Sequence, residues 1–444
     1  MNLKDAGLAI FKAGLEAGHV RSLLRRALPL DGSRLSIGPT AFDLARIRRL
    51  VVLGAGKASG AMAQVLEEIL DDWIVQGLVV VNDGYGVRTE RIRLVEAGHP
   101  LPDARGLQAA RGLLKLARDA RADDLVITLV SGGGSALTPA PVPPITLGDK
   151  QALTHELLLA GATINELNAV RKHCSQLKGG QLAKAAAPAP VLSLILSDVI
   201  GDPLDVIASG PTAPDETTYA EALAILDQFG LRGRVPASVQ IHLERGARGE
   251  IPETPKPADP IFRRVTNHVI GNNHVVVEAA EVKARQLGFN THLLSRSFQG
   301  EAREMARQFA DLVREIRAHG SPVPPPACVI AGGETTVTVR GKGKGGRCQE
   351  FCLASALSLE GMRDVVVLAA GTDGSDGPTD AAGAFADGQT VGRGRERRLD
   401  ASASLEENDS HRFFSSVGDL VITGPTNTNL LDLYLLLVGP LPQD

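Results

Sequence analysis

The 444-residue chain has few cysteines, few aromatic side chains and little net charge. Its four cysteines form no paired framework and its ten histidines are scattered singly, which argues against a disulfide scaffold and against a zinc site. Aromatic residues are 3% of the chain and the formal net charge is −4, so neither a base-stacking groove nor long-range attraction to nucleic acid or anionic membranes is expected. A reducing compartment and small anionic ligands suit this composition best.

Long apolar runs are absent as well. No segment reaches the roughly 18 apolar residues of a membrane span. Lys4, Asp5, Lys12 and Glu16 interrupt the first apolar positions, a spacing that predicts an amphipathic first helix rather than a secretory signal. The cytoplasm is therefore the expected location. The hydrophobic share of 43% fits a folded protein, and the length indicates two or three domains at roughly 100–200 residues per domain.

Short apolar runs alternate with longer amphipathic stretches from about residue 50 onwards. In the first half the runs are rich in Val, Ile and Leu, and lie within 51–60, 77–86, 125–136 and 191–203. This alternation is typical of parallel strands in βαβ units. The second half repeats it, with strand candidates within 264–274, 290–297, 327–341, 364–377 and 419–429.

A proline-rich segment at 252–260 predicts a linker, because its four prolines are incompatible with a regular helix or strand ladder. We therefore expect a doubly wound α/β domain over residues 1–245, a linker over 246–262 and a second α/β domain over 263–444. In such sheets, ligands bind beyond the carboxyl ends of the strands, so the residues at those ends are the functional candidates.

A lysine-bearing glycine turn follows the first predicted strand. Gly54 and Gly56 let backbone amides approach a phosphate at a helix start, and Lys57 adds a positive charge. The alternative is plain strand-to-helix packing, which such turns serve equally well. The segment lacks the Gly-Lys-Ser/Thr ending of a Walker loop.

A second glycine-rich turn follows the run DLVITLV. It combines three glycines with two hydroxyls and predicts a nest for a phosphate or another oxyanion, formed by Ser131, Gly132, Gly133, Gly134 and Ser135. Ser135 as a nucleophile is the alternative, but the closing glycine of a G-x-S-x-G elbow is absent. Acyl transfer is therefore disfavoured.

Acidic turns follow two further predicted strands. Asp198 and Asp202 follow the run at 191–196, and Asp373 and Asp376 follow DVVVLAA. Carboxylates there can bind Mg²⁺ or accept a hydroxyl proton. Their structural alternative is to cap a helix or turn.

Glycine alternates with basic residues in the segment RGKGKGGR at 340–347. Four cations fall within these eight residues, namely Arg340, Lys342, Lys344 and Arg347. Glu334 precedes the segment, and a helix is predicted to begin near Gln349. A flexible positive loop at a helix start suits a polyphosphate. A solvated basic hairpin is the alternative, although so much glycine is costly to order without a ligand.

Cationic loops, a glycine nest and acidic turns together indicate phosphoryl transfer, which needs cations to offset phosphate charge and carboxylates to hold a metal. At these same residues the sequence resembles the type-2 glycerate kinases, which carry the MOFRL domain and are sometimes labelled hydroxypyruvate reductases. The resemblance covers nearly the whole chain. Segments that carry it include GAGKA, EAGHPLPD, SGGGSAL, NAVRKHCSQLKGGQLA, LILSDVIGDPLDVIASGPTAPD, GGETTVTVRGKGKGGRCQE and GTDGSDGPTDAAGA.

The resemblance implies an ATP- and Mg²⁺-dependent enzyme that phosphorylates the 2-hydroxyl of D-glycerate. It also implies a Rossmann-like amino-terminal domain and a smaller MOFRL-type α/β domain with an active-site cleft between them, and it leaves a homodimer open. Lys57 and Arg347 become the chief catalytic cations. One departure is Cys348, where family members usually carry asparagine, so that a side-chain amide contact is expected to be missing.

These two lines together give a hypothesis for the site. The triphosphate lies across the glycine nests, with Mg²⁺ near Asp198 or Asp373. The predicted nucleotide-binding residues are Gly54, Gly56, Ser131, Gly132, Gly133, Gly134, Ser135, Glu334, Lys342, Lys344 and Asp373. Asp202, with Asp376 as alternative, is the candidate base.

The substrate carboxylate has three candidate partners, Arg171, Lys172 and Lys178. They lie on a helix-like stretch, where a solvated basic face is an equally good interpretation. The rival enzyme is a nicotinamide-dependent hydroxypyruvate reductase, since Asp83 ends the second strand as a ribose-binding acid would. That enzyme leaves the segment 340–347 without a role. A third alternative, a sugar-phosphate sensor, leaves the acidic turns without one.

Overall fold

The computed structural model describes residues 2–440 of the chain. Its contacts divide the chain into two compact units. The parallel-sheet unit is Leu23–Ile270, and the mixed-sheet unit is the described part of Met1–Ser22 and Gly271–Asp444.

Helices and strands occur along the whole described chain. The helices are α1 (Leu3–Ala17), α2 (Val20–Ala27), α3 (Ser59–Leu70), α4 (Ala104–Arg118), α5 (Gly134–Leu137), α6 (Leu147–Leu159), α7 (Ile164–His173), α8 (Gln181–Ala186), α9 (Tyr219–Gln228), α10 (Ala237–Ala247), α11 (Asn273–Gln286), α12 (Ala302–His319), α13 (Arg347–Leu359), α14 (Thr390–Glu396), α15 (Ala401–Glu406) and α16 (Ser410–Val417). The strands are β1 (Leu30–Asp31), β2 (Arg34–Ile37), β3 (Thr40–Asp43), β4 (Leu50–Ala55), β5 (Ile74–Asn82), β6 (Ile92–Ala97), β7 (Leu125–Val130), β8 (Val191–Leu196), β9 (Val265–Gly271), β10 (Asn290–Phe298), β11 (Ala327–Gly333), β12 (Val365–Gly371), β13 (Gly383–Asp387), β14 (Leu420–Val421) and β15 (Asp432–Val438).

The parallel-sheet unit is built on six strands in the order β6–β5–β4–β7–β8–β9. The pairs among β4 to β8 are all parallel. Counted from β4, this is the order 3-2-1-4-5-6 of doubly wound nucleotide-binding sheets, whose crevice opens where the order reverses. Here the reversal lies between β4 and β7. The predicted doubly wound α/β class is confirmed.

Four helices of this unit pack around a core of their own. Apolar side chains of α6, α7, α9 and α10 form one buried cluster, which includes Leu153, Val170, Leu226 and Leu243. A separate small antiparallel sheet is formed by β1, β2 and β3. The helical cluster matters for the site because it brings α6 beside α7.

The mixed-sheet unit has six strands in the order β10–β11–β15–β12–β13–β14. β10 and β11 are parallel, but β15 runs antiparallel to both β11 and β12. The expectation that the second half repeats the parallel arrangement is therefore wrong for its centre. Its core joins α12 and α13 to the sheet and includes Phe309, Phe351 and Tyr434.

The observed division of the chain differs from the predicted one at two places. The amphipathic first helix forms as predicted, but α1 packs on α11, so closely that a Cβ on Gly14 would lie 3.0 Å from the Val276 carbonyl oxygen. The proline-rich segment belongs to the parallel-sheet unit, since Asp215 N–H donates to Pro255 O at 2.9 Å and β9 follows it beside β8. The boundary between the two units therefore lies at residue 270 rather than within 246–262.

Two strand predictions in the second half were also wrong in extent. The candidate within 327–341 ends as a strand at Gly333, and that within 419–429 is a strand only at Leu420–Val421. The buried central strand is β15 instead. Within residues 2–440, no helix combines the length and the apolar character needed to cross a lipid bilayer.

Candidate active site

Two glycine turns meet at the reversal of strand order in the parallel-sheet unit. The first follows β4 and carries Lys57, and the second follows β7. Lys57 N–H donates to the Gly132 carbonyl oxygen at 2.8 Å, and Ala58 N–H donates to Ser131 Oγ at 3.0 Å. The structure therefore brings together the two predicted phosphate-binding turns.

Several predicted ligand residues in these turns are buried in contacts between them. Ser131 is 1% exposed, and its hydroxyl also bonds to Ser59 Oγ at 3.0 Å. A Cβ on Gly54 would lie 2.5 Å from Leu129 O, and one on Gly56 would lie 2.1 Å from Ser131 Oγ. These glycines are required for close packing of the turns, whereas Lys57, Gly133 and Ser135 are partly exposed.

His99 lies against the second glycine turn. It was not among the functional residues predicted from the sequence. It follows β6, and a Cβ on Gly133 would lie 3.1 Å from both Nε2 and Cδ2 of its imidazole. The same point is 3.5 Å from Lys57 Cγ. Burial, followed by the charge of Lys57, lowers the pKa of His99 below its ordinary value. A neutral imidazole therefore lies beside the catalytic lysine candidate.

Ser135 is the centre of a buried cationic group. Lys178 Nζ donates to both the Ser135 carbonyl oxygen and Oγ at 2.7 Å, and Arg171 Nη2 also donates to Oγ. Ser135 Oγ bonds to Ser209 Oγ at 2.9 Å, and Ser209 in turn donates to Asn168 Oδ1 at 2.9 Å. The Ser135 hydroxyl thus accepts from two cations and gives its proton to Ser209, which disfavours it further as a nucleophile.

Lys150, on α6, belongs to this cationic group. It was not predicted as a site residue, because a lone lysine on a helix is usually solvated. It is 4% exposed, and Lys178 is fully buried. Burial and the charge of Arg171 lower the pKa of Lys150 to about 7, and burial lowers the pKa of Arg171 to about 10. The pKa of Lys178 is also well below its ordinary value, chiefly through burial.

No carboxylate in the described part of the chain balances this cationic group. Among residues 2–440, none of the ion pairs involves Lys150, Arg171 or Lys178, and the buried Nε of Arg171 has no hydrogen-bond partner. Buried charges in proteins are normally paired. The group therefore lacks the partner that a buried charge normally has.

Lys172, the third predicted substrate residue, is committed elsewhere. Its Nζ lies 3.0 Å from Asp205 Oδ2 and 3.4 Å from Asp215 Oδ1. These two carboxylates neutralise a side chain that is 2% exposed. Its contacts give Lys172 a structural role, in contrast to its neighbour Arg171.

A strained segment holds Ser209 against Ser135. Ala208 and Ser209 have φ of 50° and 62°, a left-handed conformation that is uncommon outside glycine. Such strain costs about 1–3 kcal/mol per residue and is concentrated at functional sites.

Asp198 and Asp202 lie nearby in the chain, on the turn after β8, where Asp202 N–H donates to Val199 O at 3.1 Å. Both carboxylates are partly exposed.

Arg347 is oriented by two carboxylates of the mixed-sheet unit. Its Nε and Nη2 donate to Asp432 at 2.6 and 2.9 Å, and its Nη1 lies 2.6 Å from Glu334 Oε1. Asp432 is 1% exposed and also accepts from Tyr434 OH at 3.0 Å. Burial alone would lower the pKa of Arg347, but the Asp432 carboxylate raises it above its ordinary value. Asp432 opens β15, a strand that the sequence analysis did not include.

The glycine-rich basic loop packs closely against Glu407 and Asp409, so the expectation of a flexible loop is wrong. A Cβ on Gly341 would lie 2.2 Å from Glu407 O, and one on Gly343 would lie 2.4 Å from Asp409 Cβ. Gly343 N–H donates to Glu407 O at 2.8 Å. The glycines permit this close contact, while Lys342 and Lys344 remain exposed.

The acidic turn after β12 has two separate roles. Asp376 is 2% exposed and caps α13, because its carboxylate accepts from the backbone N–H groups of Cys348 and Gln349 at 3.0 and 2.8 Å. Burial raises the pKa of Asp376 to about 6. The capping alternative is thus the observed one, and Asp376 is not available as a base. Asp373 lies near Asp432, since a Cβ on Gly371 would be 3.5 and 3.3 Å from their Oδ1 atoms.

Cys348 faces the hydrophobic core of the mixed-sheet unit. Its side chain is fully buried beside Phe351 and Cys352, and burial raises the pKa of its thiol well above the ordinary value. The expected loss of a ligand contact at this position therefore has no structural support.

Asp83, the acid of the reductase alternative, forms a bidentate pair with Arg105 at 2.7 and 2.9 Å.

Comparisons with known proteins agree with these features. A family profile described as "Domain of unknown function (DUF4147)" matches residues 6–244, and the profile "MOFRL family" matches residues 327–432. Glycerate 2-kinase of Pyrococcus horikoshii is 38% identical over 439 residues, 99% of this chain and 98% of that protein. The chain belongs to the MOFRL-type glycerate 2-kinase family.

A sequence relative and a solved structure from Thermotoga maritima support this assignment. D-glycerate 2-kinase of Thermotoga maritima is 39% identical over 438 residues, 98% of this chain and 99% of that protein. The crystal structure of glycerate kinase from Thermotoga maritima has a TM-score of 0.88 at 38% identity, covering 98% of this chain and 99% of that one. The family resemblance seen in the sequence is confirmed.

Proposed function

We propose that this chain transfers the γ-phosphoryl group of ATP to the 2-hydroxyl of D-glycerate. Family membership supports the reaction class, and the unpaired cationic group at Ser135 supports the acceptor. A buried Arg171 Nε without a partner, beside the buried Lys178, is the observation that carries the proposal. Leaving such a donor unpaired is costly, so an anionic ligand is the natural partner of this group.

The glycerate carboxylate is the anion that we place there. Arg171 and Lys178 already contact Ser135, and their remaining N–H groups supply charge-assisted hydrogen bonds to a carboxylate. Lys150 adds a third positive charge. Because a carboxylate would raise the pKa of each of these cations, binding of glycerate is coupled to proton uptake near neutral pH.

The triphosphate is the partner that we assign to Lys57 and Arg347. Lys57 lies at the paired glycine turns, and Arg347 is held in orientation by Asp432. Phosphoryl transfer is catalysed mainly by fixed positive charges that offset charge on the transferring group. The exposed Lys342 and Lys344 add positive charge near Arg347 in the sequence.

Mg²⁺ fits this chain as an ion shared with the triphosphate. Among residues 2–440, no three His, Cys, Asp or Glu side chains are grouped so as to hold a metal by themselves. Magnesium in kinases commonly takes one or two carboxylates and completes its shell with phosphates and water. Asp198 or Asp373 would hold it, and the ion would offset charge on the phosphates.

A coupled assay tests the proposed reaction. The purified protein is incubated with D-glycerate, ATP and Mg²⁺, and the release of ADP is measured. In a parallel reaction with hydroxypyruvate and NADH or NADPH, the nicotinamide absorbance is measured. Glycerate-dependent ADP release without a nicotinamide signal is expected. Oxidation of the nicotinamide without ADP release would instead support the reductase.

A further inference from the structure

We propose that His99 is the general base of this kinase, accepting the proton of the glycerate 2-hydroxyl; this inference rests on the proposed function. The sequence hypothesis assigned the base to Asp202 or Asp376. Asp376 caps α13 through both carboxylate oxygens. His99 is the half-buried titratable group that lies against the second glycine turn.

His99 lies against Gly133 of that turn, close to Lys57. A side-chain carbon on Gly133 would approach Nε2 to 3.1 Å, and Lys57 Cγ lies 3.5 Å from the same point. Gly133 comes two residues before Ser135, and consecutive Cα atoms are about 3.8 Å apart. An acceptor whose carboxylate binds at Ser135 therefore lies within a few ångströms of His99. The hydroxyl on the carbon next to that carboxylate is the 2-hydroxyl.

The imidazole of His99 has no competing partner among the residues that the structure describes. Within residues 2–440, neither of its ring nitrogens makes a hydrogen bond to another residue. Lys57 is the charged group that acts on it. Asp103, the next acid along the chain, is engaged by Gly98 N–H at 3.1 Å and by Arg105 Nε at 2.8 Å. A neutral, unengaged nitrogen is what a general base requires.

The chemical step balances with His99 in this role. The 2-hydroxyl proton moves to Nε2 of His99, and the hydroxyl oxygen forms a bond to the γ-phosphorus. The bond from that phosphorus to the β,γ-bridging oxygen breaks, and ADP leaves with the electron pair. The imidazolium that results lies beside Lys57 and releases its proton to solvent. Lys57 disfavours a proton on His99, which keeps the base neutral before the step.

The test uses His99→Gln and His99→Ala in the full chain, with His155→Gln as the matched control. His155 is an exposed histidine on α6. We measure kcat, both KM values, ATP binding by calorimetry and the pH dependence of kcat. Loss of a general base typically lowers kcat by about 10²–10⁴-fold. We expect this loss for both variants, with ATP binding retained and with partial rescue of His99→Ala by added imidazole.

The pH profile separates a base from a binding residue. In the wild type, kcat should fall as the pH drops through the lowered pKa of His99, and this acid limb should be absent in His99→Gln. An Asp202→Asn variant that loses the acid limb while His99→Gln keeps it would overturn the proposal. So would a wild-type kcat in His99→Gln, or a defect confined to KM. A wild type that phosphorylates no glycerate would overturn both this inference and the proposed function, whereas an active wild type with an active His99→Gln removes His99 alone.

Discussion

Replacing Lys150 by methionine removes one positive charge from the buried group around Ser135 and leaves a side chain of similar volume. The pKa of Lys150 falls from 10.5 to about 7 in the folded chain. Because one pKa unit corresponds to about 1.36 kcal/mol, the protonated lysine costs the fold about 5 kcal/mol relative to the unfolded chain. Lys150→Met should therefore raise the free energy of unfolding by a few kcal/mol near neutral pH, while it weakens binding of the substrate carboxylate.

The pH dependence gives this prediction its sign. Below pH 7, Lys150 is protonated in the folded and unfolded chains alike, and its full cost is present. Between pH 7 and 10.5 the folded chain has lost a proton that the unfolded chain keeps, so the cost falls by about 1.4 kcal/mol per pH unit. The stability advantage of Lys150→Met should therefore shrink by about 2 kcal/mol between about pH 6 and about pH 8.5.

Equilibrium urea unfolding at several pH values measures this advantage, and steady-state kinetics measure KM for D-glycerate. Lys184→Met, which changes an exposed lysine on α8, is the matched control and should show neither effect. A charge-assisted hydrogen bond is worth about 1.5–3 kcal/mol, so KM should rise at least about tenfold in Lys150→Met. Equal stability and unchanged KM in wild type and Lys150→Met would refute the reasoning.

Three further predictions concern the two glycine turns and Arg347. Lys57→Ala should abolish measurable turnover with little change in the thermal midpoint, because it removes a charge that offsets the phosphates at a partly exposed position; retained kcat would exclude Lys57 from the mechanism. Asp432→Asn should lower kcat at least about tenfold by releasing Arg347 from its charge-assisted pair, and a wild-type kcat would show that Arg347 needs no such support. Gly56→Ala should lower the thermal midpoint strongly, since its Cβ would lie 2.1 Å from Ser131 Oγ at a φ of 148°; a small change would mean that the turns separate easily.

Matched variants keep these predictions specific. Asp311→Asn changes an exposed carboxylate on α12 and should leave kcat unchanged. Gly84→Ala also places alanine at a positive φ, of 82°, but its Cβ meets nothing within 4 Å. The left-handed conformation alone costs about 1–2 kcal/mol. Gly56→Ala should therefore lose clearly more stability than Gly84→Ala.

The four central strands of the parallel sheet, β4, β5, β7 and β8, could be predicted from the sequence because they are largely buried and appear as continuous Val, Ile and Leu runs. The mixed sheet could not be predicted in the same way. Its central strand β15 pairs with β11, whose partner residues are about 100 positions earlier in the chain. The strand candidate within 419–429 contains Asn427 at a φ of 55°, which is incompatible with regular pairing.

The site shows a similar contrast between local and distant signals. The glycine turns at Lys57 and Ser131 were recognisable because their chemistry lies in consecutive residues. Lys150 was not, because a single lysine on α6 gives no sign that the helical cluster buries it. Arg171 and Lys172 are neighbours, but of the two only Lys172 lies beside carboxylates, those of Asp205 and Asp215. The carboxylates beside Lys172 and the helices that bury Lys150 come from separate segments of the chain, so sequence spacing does not reveal these contacts.

Identification of the phosphorylated product tests the central claim most directly. The wild-type protein is incubated with D-glycerate, ATP and Mg²⁺, and the product is assigned by ³¹P and ¹H NMR. A carboxylate held at Ser135 beside His99 predicts 2-phosphoglycerate, formed together with an equal amount of ADP. Formation of 3-phosphoglycerate, or the absence of any phosphorylated glycerate, would contradict the account.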